Sequence, residues 1–360
     1  MLRSRLRPLF RDCEINLRSL LPPACSLLLV ATLAHLYPGT GSAQEKDKPY
    51  RLTAAELQIY QQARTVMDWT TQEAVKRPEL KTLQPIESQQ DLAGILRKVG
   101  ENLEALFENF PNTSCLETVQ SQDCSRMSEL NRPVSGAGPL GMMVYDTNTD
   151  ACKLISKSRF HFMLQSHLED GEQELSEYRT NEQGDAIHDQ HVTVGNMLTP
   201  HRGNVVSTGF ASAMLNFYPG IRTGCRFRYF GRQVLDGQET DVVGFAQIPK
   251  EDARVTAAIV ENKMAGVLVQ GLAWIDASSH EILRIQTELL ARRRDVDLDK
   301  ATTVIDFGAV HLADNPAILR LPTRIVVETK VKSQQFRSIH EYSDFKLLRA
   351  ESPIGPSTEK

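Results

Sequence analysis

Residues 266–291, GVLVQGLAWIDASSHEILRIQTELLA, constrain the fold of this chain more than any other stretch. Leu268, Gln270, Leu272, Trp274 and Asp276 share one parity, and Val267, Val269, Gly271, Ala273 and Ile275 the other. After a polar break at 277–279 the alternation resumes, with Ile282, Arg284, Gln286 and Glu288 against Leu283, Ile285, Thr287 and Leu289. Period-two patterning on both sides of a short polar break predicts a β-hairpin. Asp276 and the serines suit its turn, because their short side chains hydrogen-bond the local backbone. The first arm is apolar on both faces, which predicts a strand inside a sheet covered on each side.

The remaining strands follow in order. Residues 115–122, 159–168 and a return through Leu175 and Tyr178 carry strand patterning, with a turn at Glu169, Asp170 and Gly171. A short helix is expected near 209–217. From Cys225 the pattern is regular: 225–233, a two-residue Asp236-Gly237 turn, 240–247, the central hairpin, 302–311, 323–331 and 336–348. Turns every ten to fifteen residues or so predict an antiparallel meander. Residues 125–141, 181–204 and 249–263 read as polar or Gly/Pro-rich excursions, 292–300 as a solvated charged tip, and 353–360 as a disordered tail.

Upstream the grammar is helical. Thr53 and Glu56 form a capping box that predicts a helix to about residue 76, ended by Arg77-Pro78. Asp91 is expected to cap a second helix, whose Leu92, Ile95, Leu96, Val99, Leu103, Leu106, Phe107 and Phe110 fall at spacings of three and four. Gly94 and Gly100 weaken that helix by about 1 kcal/mol each relative to alanine, so it needs a partner surface.

Residues 1–43 read as a removable export signal. Arg3, Arg5, Arg7, Arg11 and Arg18 precede a short apolar run at 26–34, and Gly41-Ser42-Ala43 supplies small residues before Gln44. The formal charge is −4; removing five arginines and two acids, a net of +3, leaves −7. A mildly acidic body argues against a nucleic-acid or anionic-membrane surface as the main partner. No later segment is apolar for long enough to cross a bilayer as a helix. The expected organisation is a signal at 1–43, a helical segment at 44–90, a helix-plus-sheet domain at 91–352 and the tail. The expected location is periplasmic or secreted.

Four cysteines would survive signal removal: Cys115, Cys124, Cys152 and Cys225. If 115–124 is extended, its ends are about 30 Å apart, whereas a bridge tolerates about 7 Å between Cα atoms. Cys124–Cys152 is the favoured pair, with four free thiols as the alternative.

No motif commits the chain to catalysis. Gly136, Gly138 and Gly141 match a dinucleotide fingerprint formally, but Pro133 and Pro139 flank them and no helix follows. His188 and His191 lie in a polar loop without a third ligand. Asp295, Asp297 and Asp299 alternate as in a calcium loop, but Lys300 stands where glycine is required. There is no GxSxG elbow. Glu172, Glu174 and Glu177 are expected on a solvated hairpin, and Asn112-Thr113-Ser114 is a sequon read as the helix-terminating turn.

Two resemblances add to this reading. The series F-R-Y-F-G-R-Q, V-V-G-F-A-Q, Q-G-L-A-W-I-D, L-P-T-R-I-V-V and H-x-Y-S-D-F-K-L, with V-G-E-N-L-E-A-L-F-E-N-F-P-N-T-S-C upstream, resembles a set of uncharacterised exported proteins of acidobacterial type over about residues 91–352. More distantly, G-x-x-W-I-D, I-L-R-I and Y-S-D-F are similar to outer-membrane lipoprotein-sorting (LolA-like) proteins. That resemblance implies an unclosed, strongly curved antiparallel sheet over helices, with a concave apolar face for acyl chains.

The fold expectation is therefore α+β, a curved antiparallel sheet packed over N-terminal helices. The functional expectation is a periplasmic carrier or binding module for a lipid or acyl ligand, without metal or cofactor. Leu96, Val99, Leu103 and Phe107 of the helix, facing Leu268, Leu272 and Trp274 of the sheet, are the expected ligand-binding residues. An envelope scaffold that binds another protein, and a hydrolase, are the alternatives.

Overall fold

The computed structural model describes residues 51–125, 152–169, 172–184, 197–198, 200–201, 204–205, 211–251, 253, 255–260, 263–313, 315 and 318–348. The expected signal segment, the glycine motif at 136–141, the histidine pair and the C-terminal tail lie outside them.

The N-terminal segment is not the single helix expected for 53–76. Helix α1 (Ala54–Gln61) ends early, a 3-10 turn covers Val66–Asp68, and α2 (Thr71–Val75) restarts. The capping box at Thr53 and Glu56 is present, and the same device recurs at Thr65 and Asp68 and at Thr70 and Glu73. Each acid reaches back to the amide three residues earlier: Thr53 N donates to Glu56 at 2.8 Å, Thr65 N to Asp68 at 2.7 Å, and Thr70 N to Glu73 at 2.8 Å. A capping box starts a helix, so three in succession cut one apolar pattern into three short turns.

Strand β1 (Gln84–Pro85) precedes α3 (Leu92–Glu108), whose apolar stripe is as expected, although Asp91 makes no side-chain cap. Next come β2 (Thr113–Asp123), β3 (Lys153–Glu169), β4 (Glu172–Thr180), the short β5 (Met197–Leu198), β6 (Pro200–His201) and β7 (Asn204–Val205), then α4 (Ala211–Met214). The meander runs through β8 (Cys225–Leu235), β9 (Gln238–Gln247), β10 (Thr256–Val260), β11 (Lys263–Val267), β12 (Val269–Asp276), β13 (Ile282–Leu289), β14 (Leu298–His311), β15 (Ile318–Val331) and β16 (Gln334–Leu347). The expected polar excursion at 249–263 thus contains β10, which pairs with β11 and lies parallel to β5.

Among the described residues, eleven strands form one open sheet in the order β1-β8-β9-β12-β13-β14-β15-β16-β2-β3-β4. Neighbours run antiparallel throughout, and with β1 and β4 at opposite edges the sheet does not close into a barrel. Asp236 (φ 50°) and Gly237 (φ 86°) make the tight turn between β8 and β9; both left-handed conformations match the twist of a two-residue hairpin.

Both sheet faces are covered. Ile95, Val99 and Leu103 of α3 pack with Val243, Phe245, Ala273, Ile275, Ile285 and Ile305. Gly100 matters here, because a Cβ at that position would stand 2.8 Å from Pro219 Cγ. On the opposite face the N-terminal segment lies over Phe230, Val242, Leu272 and Trp274 through Ala74, Leu80 and Leu83, and over Ala246 and Leu268 through Leu52, Tyr60 and Val66. Period-two geometry sends alternate side chains of β12 into these separate cores.

A buried ionic cluster pins the N-terminal cover. Arg293 lies within the segment expected to be solvated, yet it is 1% exposed. Its Nη2 donates to Glu56 at 2.8 Å, and Nε and Nη2 hold Asp295 at 2.9 and 2.6 Å. Tyr60 Oη donates to Gly266 O at 2.7 Å, and Arg293 Nη1 donates to the same carbonyl. Asp295 is therefore an arginine partner rather than part of a calcium loop.

Candidate functional site

A cleft of about 430 Å³ opens between α3 and the sheet. Val99, Leu103 and Leu106 of α3 form one wall. Met214 of α4, Ile282 of β13, Phe307 of β14 and Leu319 of β15 form the others. The helical spacing of Val99, Leu103 and Leu106 puts all three on one face, and strand alternation aims Ile282 and Phe307 at them. Ile318, also lining it, is 54% exposed at the mouth. The volume lies within the range of small-ligand sites, about 300–1,000 Å³.

The rim is polar. Asn102, Asn109, His280, Glu281, Asn315 and Arg320 line it. Asn102 Nδ2 donates to Ser279 O at 2.9 Å, tying α3 to the turn between β12 and β13. That turn is closed by the Asp276 carboxylate, which accepts from Ser278 N at 2.9 Å, Ser278 Oγ at 2.6 Å and Ser279 N at 2.8 Å. Burial would raise the Asp276 pKa, but these hydrogen bonds outweigh it and hold the carboxyl below its ordinary value. Arg320 Nε donates to Glu281 Oε2 at 3.1 Å.

Of the seven expected ligand residues, Val99 and Leu103 line this cleft, while Leu96 and Phe107 pack beside the same core. Leu268, Leu272 and Trp274 do not face them. They lie on the other side of the sheet, where Trp274 Nε1 donates to Gln233 at 3.2 Å beneath the N-terminal segment. The expected juxtaposition is corrected by parity: Ala273 and Ile275, not Leu272 and Trp274, meet α3. A helix and the opposite parity of a strand cannot share a ligand through the sheet.

A second polar constellation was not anticipated. Glu117 is fully buried and accepts from Arg179 Nε at 2.5 Å, Arg179 Nη2 at 3.1 Å, His340 Nδ1 at 2.8 Å and Tyr342 Oη at 2.8 Å. His340 Nε2 lies 3.0 Å from Ser338 Oγ, and Nδ1–H donates to the carboxylate, which only accepts. Burial would raise the Glu117 pKa, but the Arg179 charge and the His340 hydrogen bond hold it well below the ordinary carboxylate range. A carboxylate saturated by four donors and kept ionised is a poor base; it fastens β2, β4 and β16 together. Glu117 shares its parity with buried Cys115, the sequence signal that could have placed it in the core. Glu177 is also buried, at 4% exposure, rather than on a solvated hairpin.

Among the described residues no group of three or more His, Cys, Asp or Glu side chains is arranged to hold a metal, and no helix is long and apolar enough to cross a membrane. Cys124 and Cys152 form the expected disulfide, Cys115 is a buried free thiol, and Cys225 Sγ donates to Asn216 Oδ1 at 3.5 Å.

No family model and no curated protein matches the chain. Solved structures do. The chain is similar to a domain assigned as an outer membrane lipoprotein-sorting protein from Vibrio parahaemolyticus, with 10% identity and a TM-score of 0.36 over 72% of this chain and 94% of that one. It is similar to a DUF1329 family protein from Desulfovibrio piger, with 7% identity and a TM-score of 0.37 over 72% and 94%. A third is lipoprotein LppX of Mycobacterium tuberculosis, with 10% identity and a TM-score of 0.21 over 70% and 95%. At these scores they are remote neighbours in fold, and the functional reading rests on the cleft itself.

Proposed function

We propose that the chain is an exported binding or carrier module for a lipid or acyl chain held between α3 and the sheet. The observation that carries this reading is the apolar cleft whose accessible lining is Leu106, Ile318 and Leu319, over a buried floor of Val99, Leu103, Ile282 and Phe307. Each ligand methylene buried there contributes about 0.8 kcal/mol, so a long chain can bind mainly through its hydrocarbon. Leu96 and Phe107 support the helix wall, whereas Leu268, Leu272 and Trp274 would join the site only if the N-terminal segment left its face. Export is supported by the Cys124–Cys152 disulfide, which an oxidising compartment maintains, and by the signal-like residues 1–43.

The test is extraction of the full chain, purified without detergent, followed by lipid mass spectrometry and calorimetric titration with a long-chain fatty acid. The expected result is a stoichiometric lipid or saturable binding. Neither would favour a second reading, a cell-envelope scaffold for a protein partner, which the filled core around Phe217 and Phe245 supports.

A further inference from the structure

We propose that the rim of this cleft selects an amphiphile with an anionic head, and that Arg320 is its specificity-determining residue. The inference rests on the binding reading above and adds the class of head group. An apolar cleft alone is indifferent to what lies at the end of the chain. This one carries a guanidinium at its lip, 22% exposed and therefore partly desolvated.

The donors and acceptors at the rim are unequally committed. Glu281 accepts from Arg320 Nε at 3.1 Å and from Ser279 Oγ at 3.2 Å. Asn102 Nδ2 and Asn109 Nδ2 donate to the carbonyls of Ser279 and Ala105. Arg320 spends only Nε on Glu281, and its two Nη groups carry no hydrogen bond among the described residues. A guanidinium presents five N–H donors in a planar fork, so the Nη edge can hold a carboxylate or phosphate oxygen while Nε keeps Glu281. Glu281 then orients the guanidinium and is itself a positioning residue. Its charge is 35% exposed and so partly screened from a bound anion.

His280 completes the lip. It adopts φ 60° in the turn between β12 and β13, an uncommon conformation for a residue with a side chain. Its Nδ1 lies 3.3 Å from Ser278 O. A carbonyl only accepts, so Nδ1 carries the proton there, and the ring is held at the lip by this contact. A carboxylate or phosphate with its chain in the cleft would thus meet Arg320 at the mouth, whereas a neutral head would leave the Nη donors to water alone.

The experiment compares dodecanoate, dodecan-1-ol and acetate by calorimetry on the wild-type chain and on Arg320→Gln and Arg320→Lys. Wild type should bind dodecanoate about tenfold or more tightly than the alcohol, as expected for a charge-assisted hydrogen bond. Arg320→Gln should weaken dodecanoate far more than the alcohol and so remove that preference, and a circular-dichroism spectrum and thermal transition like those of wild type show that the variant is folded. Arg320→Lys should retain part of it. Equal wild-type affinity for acid and alcohol would overturn the head-group inference and leave the carrier reading standing. Binding of neither would remove both. Acetate binding as tightly as dodecanoate would also overturn it, because the site would then recognise a free anion rather than an amphiphile.

Discussion

Glu56 and Arg293, 237 residues apart, meet at 2.8 Å with side chains only 6% and 1% exposed. One belongs to α1 and the other to the 292–300 segment, so the pair bolts the N-terminal segment to the sheet. Removing one partner leaves the other charged and buried. Glu56→Gln and Arg293→Met should each destabilise the chain by about 3–5 kcal/mol, read by urea denaturation. The double variant should lose less than the sum of the two; additive losses would mean that the pair is not coupled.

Glu117 predicts an acid limb. Its folded pKa is depressed, so its contribution is present above the unfolded value of about 4.3 and is lost as pH falls through the folded value. The stability gap between wild type and Glu117→Gln should be largest near neutrality and should narrow below about pH 4. A gap that stays constant from neutral pH into the acid range would contradict the ionised assignment.

The Cys124–Cys152 bridge spans 28 residues of sequence. Non-reducing peptide mapping of exported material should link the two peptides. Replacing both with serine should lower stability by about 3–4 kcal/mol on the loop-entropy model. Free thiols at both positions would remove the bridge from the account.

The two faces should separate in mutagenesis. Leu272→Ala lies under the N-terminal segment and should cost about 2–5 kcal/mol of stability without changing affinity for a fatty acid. Leu106→Trp fills the cleft from its wall and should weaken binding at least about tenfold, with a smaller stability loss of about 1–3 kcal/mol. Calorimetry and thermal denaturation on the same samples would check both, and the reverse pattern would move the site to the other face.

Residues 1–43 predict a mature N-terminus at Gln44. N-terminal sequencing of exported protein should find it, whereas an intact Met1 on a membrane-bound product would contradict cleavage.

Local patterning made most of the elements legible. Alternation in 266–291 located β12 and β13, Asp236-Gly237 marked its hairpin, and spacings of three and four marked α3, because each of these signals acts between residues close in the chain. The three short turns at 53–76 were also written there, as three Thr-x-x-acid boxes, though the apolar stripe masked them. What only the tertiary structure decided is which surface each parity meets. Val269, Gly271, Ala273 and Ile275 and the alternate set Leu268, Leu272 and Trp274 are both apolar, so alternation separates them without saying which lies under α3. The same holds for charge. Arg293 and Glu117 sit in polar-looking sequence, and their burial depends on partners 237 and 62 or more residues away. The cleft, too, belongs to the fold: Leu106, Phe307 and Arg320 come from three elements brought together by strand order, a relation between distant segments that no local pattern encodes.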